Sequence, residues 1–194
     1  MVETRTAPAR RLRRAERREQ ILDAATRAFA RSGFAATSLD HIAAEAGISR
    51  VILYRHFESK TDLYRAVLDR TCTRLATTVG ADNFTGDAIP ALLQAASADP
   101  DGFRLLFRHA AREPQFRDIT DTLTTAAGDI AHRHLAAIIP DKRWAAWAAQ
   151  LAPTVAIEGV VAWLDAGEPD PDTAADHIGQ VIGGVIQAAQ STVH

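Results

Sequence analysis

A chain of 194 residues, 47% hydrophobic and 24% charged, is long enough to bury a core as one large or two small domains and too apolar for intrinsic disorder. Its single cysteine, Cys72, excludes an intrachain disulfide and any multi-cysteine metal site; no apolar run reads as a bilayer span, and the basic start lacks the apolar segment of a secretory signal. No membrane partner is therefore expected, and a reducing cytoplasm is. The net charge of −2 hides an asymmetry, because residues 1–70 hold 14 Lys and Arg against 9 Asp and Glu, whereas residues 71–194 hold 8 against 15. A basic amino-terminal third on an acidic remainder suggests a nucleic-acid-facing module joined to one that does not touch nucleic acid.

Residues 1–14 carry a proline and no apolar period, and read either as a solvated charge run or as a basic, DNA-contacting arm. Ile21, Ala25, Ala28 and Phe29 then recur at helical spacing and predict a first helix that stops near Gly33. Thr37 and Ser38 can each cap the next turn, with Asp40 at capping-box spacing from Thr37. The short second helix that follows has Leu39, Ile42, Ala43 and Ala46 on its apolar side and ends at Gly47. Ser49 caps a third helix expected from Arg50 to Phe57. Ser59, with Asp62 three residues on, starts a fourth that carries Leu63, Ala66, Val67 and Arg70.

Two short helices joined by a tight turn containing glycine, the second basic on one side, make a helix-turn-helix. Residues 15–68 resemble the amino-terminal domain of the TetR family of transcriptional regulators. The resemblance is carried by Ile21, Ala24, Phe29, Gly33, Phe34, Thr37, Ile42, Ala43, Ala46, Gly47, Ser49, Leu53, Tyr54, Phe57, Lys60 and Leu63. The chain departs from the family where members usually have glycine and a small residue and this sequence has Val51 and Ile52. That bulk puts any carry-over of base preference in doubt: in a major groove the two side chains can make only apolar contacts, such as with a thymine methyl group, and they could equally be core if the helix is rotated.

Prolines at 90, 100, 114 and 140 and the "GEPDPD" turn at 167–172 divide the rest into helices expected near 87–98, 101–112, 116–138, 141–166 and 173–190. The fold class is thus all-α, with about nine helices, as the resemblance also implies. The expected division is a basic arm at 1–14, a helix-turn-helix at 15–60, a connecting helix at 61–80 and a ligand-binding and dimerisation domain at 81–194. Trp144, Trp147, Leu151, Thr154 and Glu158 share one stripe of a long helix, either the wall of an amphipathic pocket or a packed core stripe with the carboxylate at its edge. Phe103 and Phe107 form a similar stripe, as do Leu123, Ala127 and His134, and together these faces could enclose an apolar small-molecule cavity. The resemblance implies that an effector binds there. Ala152, Val155, Gly159 and Ala162 lie on another face of the long helix, and Gly179, Ile182, Gly183 and Ile186 on the last helix. Small residues at that spacing let helices approach closely, either within the subunit or across the four-helix dimer interface that the resemblance implies the last two helices form with their symmetry mates.

His132 and His134 lie two apart on a helix and point about 200° away from one another, so they do not share a metal. No metalloprotease, nucleophile-elbow or phosphate-cradling motif occurs. Neither a cofactor nor catalysis is expected; an enzyme fused to a DNA-binding domain would need a polar cluster that the sequence does not contain. The expected activity is that of a dimeric, ligand-responsive repressor on a palindromic operator, with a constitutive or architectural DNA-binding protein as the alternative. Arg50, Val51, Ile52 and Arg55 would face base edges, and Thr37, Ser38, Ser49, Tyr54, His56 and Lys60 would hold phosphates.

Overall fold

The computed structural model describes residues 13–80 and 82–191, so the basic arm, apart from its last two residues, lies outside the described part. Nine α-helices and no strand occur among the described residues: α1 (Arg14–Ala36), α2 (Leu39–Glu45), α3 (Arg50–Tyr54), α4 (Lys60–Val79), α5 (Ala88–Ala98), α6 (Pro100–Arg104), α7 (Arg117–Leu135), α8 (Lys142–Asp165) and α9 (Pro171–Gln190).

The Glu16 carboxylate accepts the Arg13 N–H at 2.8 Å and opens α1, which buries Ile21, Leu22, Ala25, Ala28 and Phe29. At Gly33 the backbone leaves helical geometry at φ 72°, a value glycine adopts without a Cβ clash, and Phe34 is thereby turned back onto the core. The cap of α2 is Ser38, which accepts the His41 N–H at 3.2 Å; the Thr37–Asp40 capping box does not form, because the Thr37 hydroxyl donates backward to the Gly33 and Ala28 carbonyls. Ser49 and Ser59 cap α3 and α4 as the sequence predicts, accepting the Ile52 and Asp62 N–H groups. The helix α3 is shorter than expected, since Arg55 and His56 close it in a turn that brings Phe57 into the core.

One apolar core runs from Phe29, Ile42, Leu53 and Phe57 through Leu63, Tyr64 and Leu68 of α4 to Leu93, Phe103 and Leu106 and on to Val160 and Leu164 of α8. A smaller, alanine-rich cluster of Ala131, Leu135, Ala145, Ala148, Ala149 and Ala189 joins α7, α8 and α9. The helix α4 therefore belongs to both ends of the molecule. Its Arg70 side chain, 10% exposed, bonds Asp23 at 2.6 Å, Glu19 at 3.2 Å and Thr26 at 2.9 Å on α1. Its Arg65 bonds Asp118 at 2.8 Å and the Gln115 carbonyl at 2.7 Å at the start of α7.

Where one helix was expected over 101–112, three geometries follow one another. Asp99 caps α6 by accepting the Gly102 N–H, and any Cβ on Gly102 would fall 2.5 Å from the Asp99 carboxylate. Leu105–His109 then form a π-turn and Ala110–Arg112 a 3-10 turn, before Pro114–Phe116 lead into α7. By length and composition α8 could cross a membrane, contrary to the sequence reading that no run could; its buried face of Ala145, Ala148, Ala152, Ala156 and Val160 is that of a core helix packed on α7 and α9. It passes through Pro153 without ending.

Candidate nucleic-acid interface and ligand cavity

The α2–α3 turn follows from Gly47, whose φ of 62° places its N–H on the Ala44 carbonyl at 3.0 Å and the Ile48 N–H on the Ala43 carbonyl at 2.9 Å. This pair of bonds is a Schellman cap, and it fixes the angle at which α3 leaves α2. Gln20 of α1 adds a hydrogen bond to the Ala46 carbonyl at 2.8 Å, and Arg27 and Arg31 of α1 both bond Glu45. Those guanidinium groups hold the Glu45 carboxyl below its ordinary value despite the opposing cost of burial. With Leu53 and Phe57 fully inside, the other side of α3 faces solvent: Val51 is 63% exposed, Tyr54 44%, Arg50 and Arg55 are exposed, and Ile52 is half-buried.

Arg50 is held in place. It donates to Asp40 at 3.1 Å and to the Tyr54 hydroxyl at 3.1 Å, and its guanidinium lies over the Tyr54 ring at 5.4 Å. The role of Asp40, read from sequence only as a cap, is thus to orient a basic side chain on the exposed face. His56 is half-buried, and its pKa is lowered from the usual 6.5 first by burial and then by Arg14, Arg17 and Arg18. These three arginines bring the start of α1 beside the end of α3 and extend the basic surface; the charge run was visible in the sequence, its neighbour was not.

Two of the residues expected at phosphates are turned inward. The Thr37 hydroxyl is buried and occupied by its two carbonyl acceptors. The Lys60 ammonium donates to the carbonyls of Phe34 at 2.8 Å, Thr37 at 3.1 Å and Ala35 at 3.3 Å, so it closes the end of α1 instead of reaching outward. A helix end with free carbonyls carries partial negative charge, which favours an ammonium there. Ser38 and Ser49 sit at the starts of α2 and α3, with their hydroxyls engaged as caps.

In the body, a cavity of about 260 Å³ is lined by Leu75 and Val79 of α4, Ile89 and Leu92 of α5, Phe107, Leu123, Ala127 and Ile130, and Ile157 and Ile182. A wider cleft of about 640 Å³ between α7 and α8 shares Phe107, Ala127, Pro153 and Ile157 with it and adds Thr120, Thr124, Asp129, His132, Gln150, Thr154 and Glu158. Of the residues expected at a ligand, Phe107, Leu123, Ala127, Thr154 and Glu158 are therefore at these walls. Phe103 is buried behind Phe107 at 4.7 Å between ring centres, and His134 is exposed and stacks on Phe84 at the rim. Trp144 and Trp147 lie outside, 50% and 40% exposed and edge-to-face at 5.7 Å, and half-buried Leu151 lines neither space. The side of α8 that packs is the alanine side, so its large aromatics are left on the surface. The apolar stripes of α4 and α5 contain wall residues that sequence reasoning missed, because helical period alone does not tell a cavity wall from a filled core.

The faces proposed for close helix approach divide. Ala152 is buried, Gly159 meets Ile178 of α9 so closely that a Cβ would lie 2.9 Å from its Cγ1, and Ile182 and Ile186 pack inward, so these four act within the subunit. Ala162, Gly179 and Gly183 are exposed, with nothing within 4 Å of a Cβ built on either glycine, and Val155 is half-buried.

A capped α2, a glycine turn and a solvent-facing α3 over a wholly helical body define a helix-turn-helix protein. Residues 21–67 match the family model described as bacterial regulatory proteins, tetR family, so the amino-terminal head is a TetR-family DNA-binding domain. It is similar to the transcriptional activator FasR of Mycolicibacterium smegmatis, 38% identical over 136 residues covering 63% of this chain and 62% of FasR. It is also similar to the transcriptional repressor SCO4008 of Streptomyces coelicolor, 36% identical over 89 residues, 45% of this chain and 46% of that one. The chain thus spans less than two thirds of the length of these relatives. A TetR-like regulator from Rhodococcus sp. RHA1 superposes with a TM-score of 0.77 at 25% identity, covering 89% of this chain and 96% of that structure.

Proposed function

We propose that the protein is a homodimeric, DNA-binding transcriptional regulator of the cytoplasm, a repressor released from a palindromic operator by a small, largely apolar effector. The observation that carries the DNA-binding reading is the exposed face of α3, on which Arg50 is oriented by Asp40 and Tyr54 beside uncovered Val51. Arg50, Val51, Ile52 and Arg55 face base edges in this reading; Ser38, Ser49, Tyr54 and His56, with Arg14, Arg17 and Arg18, lie along phosphates. The outward surface of α8 and α9, where Trp144, Trp147 and Val181 are exposed beside Ala162, Gly179 and Gly183, is the proposed contact with a second copy. Two copies related by a two-fold axis read two half-sites. SCO4008 is named a repressor and FasR an activator; departure from the operator on effector binding suits repression, because it uncovers the DNA that the dimer held.

The helix α4 carries Leu75 and Val79 at the apolar cavity and Lys60, Leu63 and Tyr64 at the head. A ligand that favours one position of α4 changes the separation of the two heads by its difference in affinity for the two arrangements. The cavity beside Phe107 favours this reading over a constitutive DNA-binding protein, which would need a filled body.

Selection of bound fragments from random DNA, followed by gel-shift titration, tests the assignment. Val51→Ala and Arg50→Ala should each lose about 1–3 kcal/mol on the selected site and far less on random duplex. Equal affinity of both variants and the parent protein for the selected site refutes the reading of α3.

A further inference from the structure

The polar cleft between α7 and α8 has a chemical sign. Its titratable wall residues are Asp129, His132 and Glu158, and among the described residues neither it nor the adjoining apolar cavity is lined by a lysine or an arginine. A second feature points the same way and is independent of charge. Proline has no N–H, so Pro153 leaves the Ala149 carbonyl, four residues earlier in α8, without its helical donor. That oxygen faces α7 at Gly128, where a Cβ would lie 3.9 Å from it, and Ala149, Pro153 and Gly128 all line the cleft. The wall thus offers two carboxylates and a spare carbonyl acceptor beside an apolar cavity lined by leucine, isoleucine, valine and phenylalanine.

We propose that the effector is an amphipathic amine in its protonated form, with its hydrocarbon body in the cavity of α4, α5, α7 and α8 and its ammonium group in the cleft that Asp129, Glu158 and the Ala149 carbonyl line. The assignment rests on reading the cavity as the effector site and adds the ligand's charge and donor capacity. An ammonium suits a cleft whose walls offer these acceptors, since it carries only donors. A carboxylate or phosphate head would meet two carboxylates with no lysine or arginine to compensate, and like charges at short range disfavour the ionised form. Phe107, Ala127, Pro153 and Ile157 belong to both spaces, so one molecule of modest length reaches from one into the other.

Three decyl amphiphiles of equal chain length and different head, decylammonium, decanol and decanoate, separate the possibilities when titrated calorimetrically into the full chain below their aggregation concentrations. Decylammonium is expected to bind about tenfold or more tighter than decanoate, with decanol between, a factor of ten being about 1.4 kcal/mol. In Glu158→Gln and Asp129→Asn the ammonium is expected to lose about three- to tenfold each, the range of partly exposed to close charge pairs, while decanol is unchanged. Decanoate binding as tightly as decylammonium overturns the charge assignment and leaves the cavity reading standing. Ammonium binding that persists undiminished in the double variant Glu158→Gln with Asp129→Asn overturns it too, by placing the cation elsewhere on an acidic surface. Equal losses for all three amphiphiles give the carboxylates a structural role and also overturn it. If none of the three binds, both the amine assignment and the effector-site reading fall.

Discussion

Lys60 and Phe34 are joined twice, by a 2.8 Å hydrogen bond from the ammonium to the Phe34 carbonyl and by the same ammonium lying 4.4 Å from the centre of the Phe34 ring. The ring in turn packs edge-on against Tyr64 at 5.1 Å and Phe116 at 5.0 Å, so Phe34, in the last turn of α1, also meets the segment leading into α7. Lys60→Ala should accordingly destabilise the fold by about 1.5–3 kcal/mol, the range for hydrogen bonds to a charged group. At temperatures where the variant stays folded, the slope of log affinity against log salt should match the parent's, because no phosphate contact is lost. A slope shallower by about one unit would return Lys60 to the DNA-facing set.

His56 makes stability depend on pH. Burial and three nearby arginines lower its folded-state pKa below the ordinary 6.5, so between that value and the folded one the unfolded chain binds the proton more readily. The contribution of the neutral ring is complete above about pH 6.5 and is lost as pH falls through the folded pKa. His56→Gln should therefore show a smaller drop in melting temperature between pH 7.5 and 5.5 than the parent. Equal drops would assign the acid sensitivity to other groups.

Gly159 and Gly183 sit on neighbouring helices and should respond oppositely to alanine. At Gly159 the new methyl meets Ile178 at 2.9 Å, and overpacking of this kind costs about 1–3 kcal/mol, only partly offset by better helix propensity. At Gly183 nothing lies within 4 Å inside the subunit, so alanine should gain about 1 kcal/mol in the isolated chain while weakening the proposed dimer. Denaturant melts for the first and sedimentation equilibrium for the second read the two effects. A Gly183→Ala dimer as tight as the parent's would move the interface away from this face of α9.

Pro153 stands inside α8, where proline is about 3 kcal/mol less favourable than alanine, and it lines both the cavity and the cleft. Pro153→Ala should raise stability by about 1–3 kcal/mol, because the new N–H reaches the Ala149 carbonyl. The same bond removes the acceptor assigned to the effector, so affinity for decylammonium should fall as the melting temperature rises. A variant that gained stability and kept its amine affinity would leave Pro153 with no role at the ligand.

Helix positions were legible because caps and breakers are local: Ser49, Ser59, Gly47 and the prolines act on the turn beside them, and α5, α7, α8 and α9 fall within a few residues of their expected bounds. The head was legible because its turn and its buried Leu53 and Phe57 lie within one short stretch. Side-chain destinations were not. Lys60 reads as a surface cation until the free carbonyls of α1, some two dozen residues earlier, fold beneath it. The stripe of Trp144, Trp147 and Leu151 looks like a pocket wall by size and spacing, yet α8 buries its alanines, because small residues allow closer contact with α7 and α9. The π-turn at Leu105–His109 has no residue signature, and it turns Phe107 to both spaces.

The surface position of that tryptophan pair gives the protein a built-in optical signal. Of its three indoles, Trp163 is buried near the α8–α9 turn, whereas Trp144 and Trp147 are exposed to water in a lone subunit. A second copy seated on the proposed face of α8 and α9 covers them, so on dimerisation their emission should move to shorter wavelength and become harder to quench with iodide. Intrinsic fluorescence should thereby follow association through the proposed face in dilute solution, with no label attached.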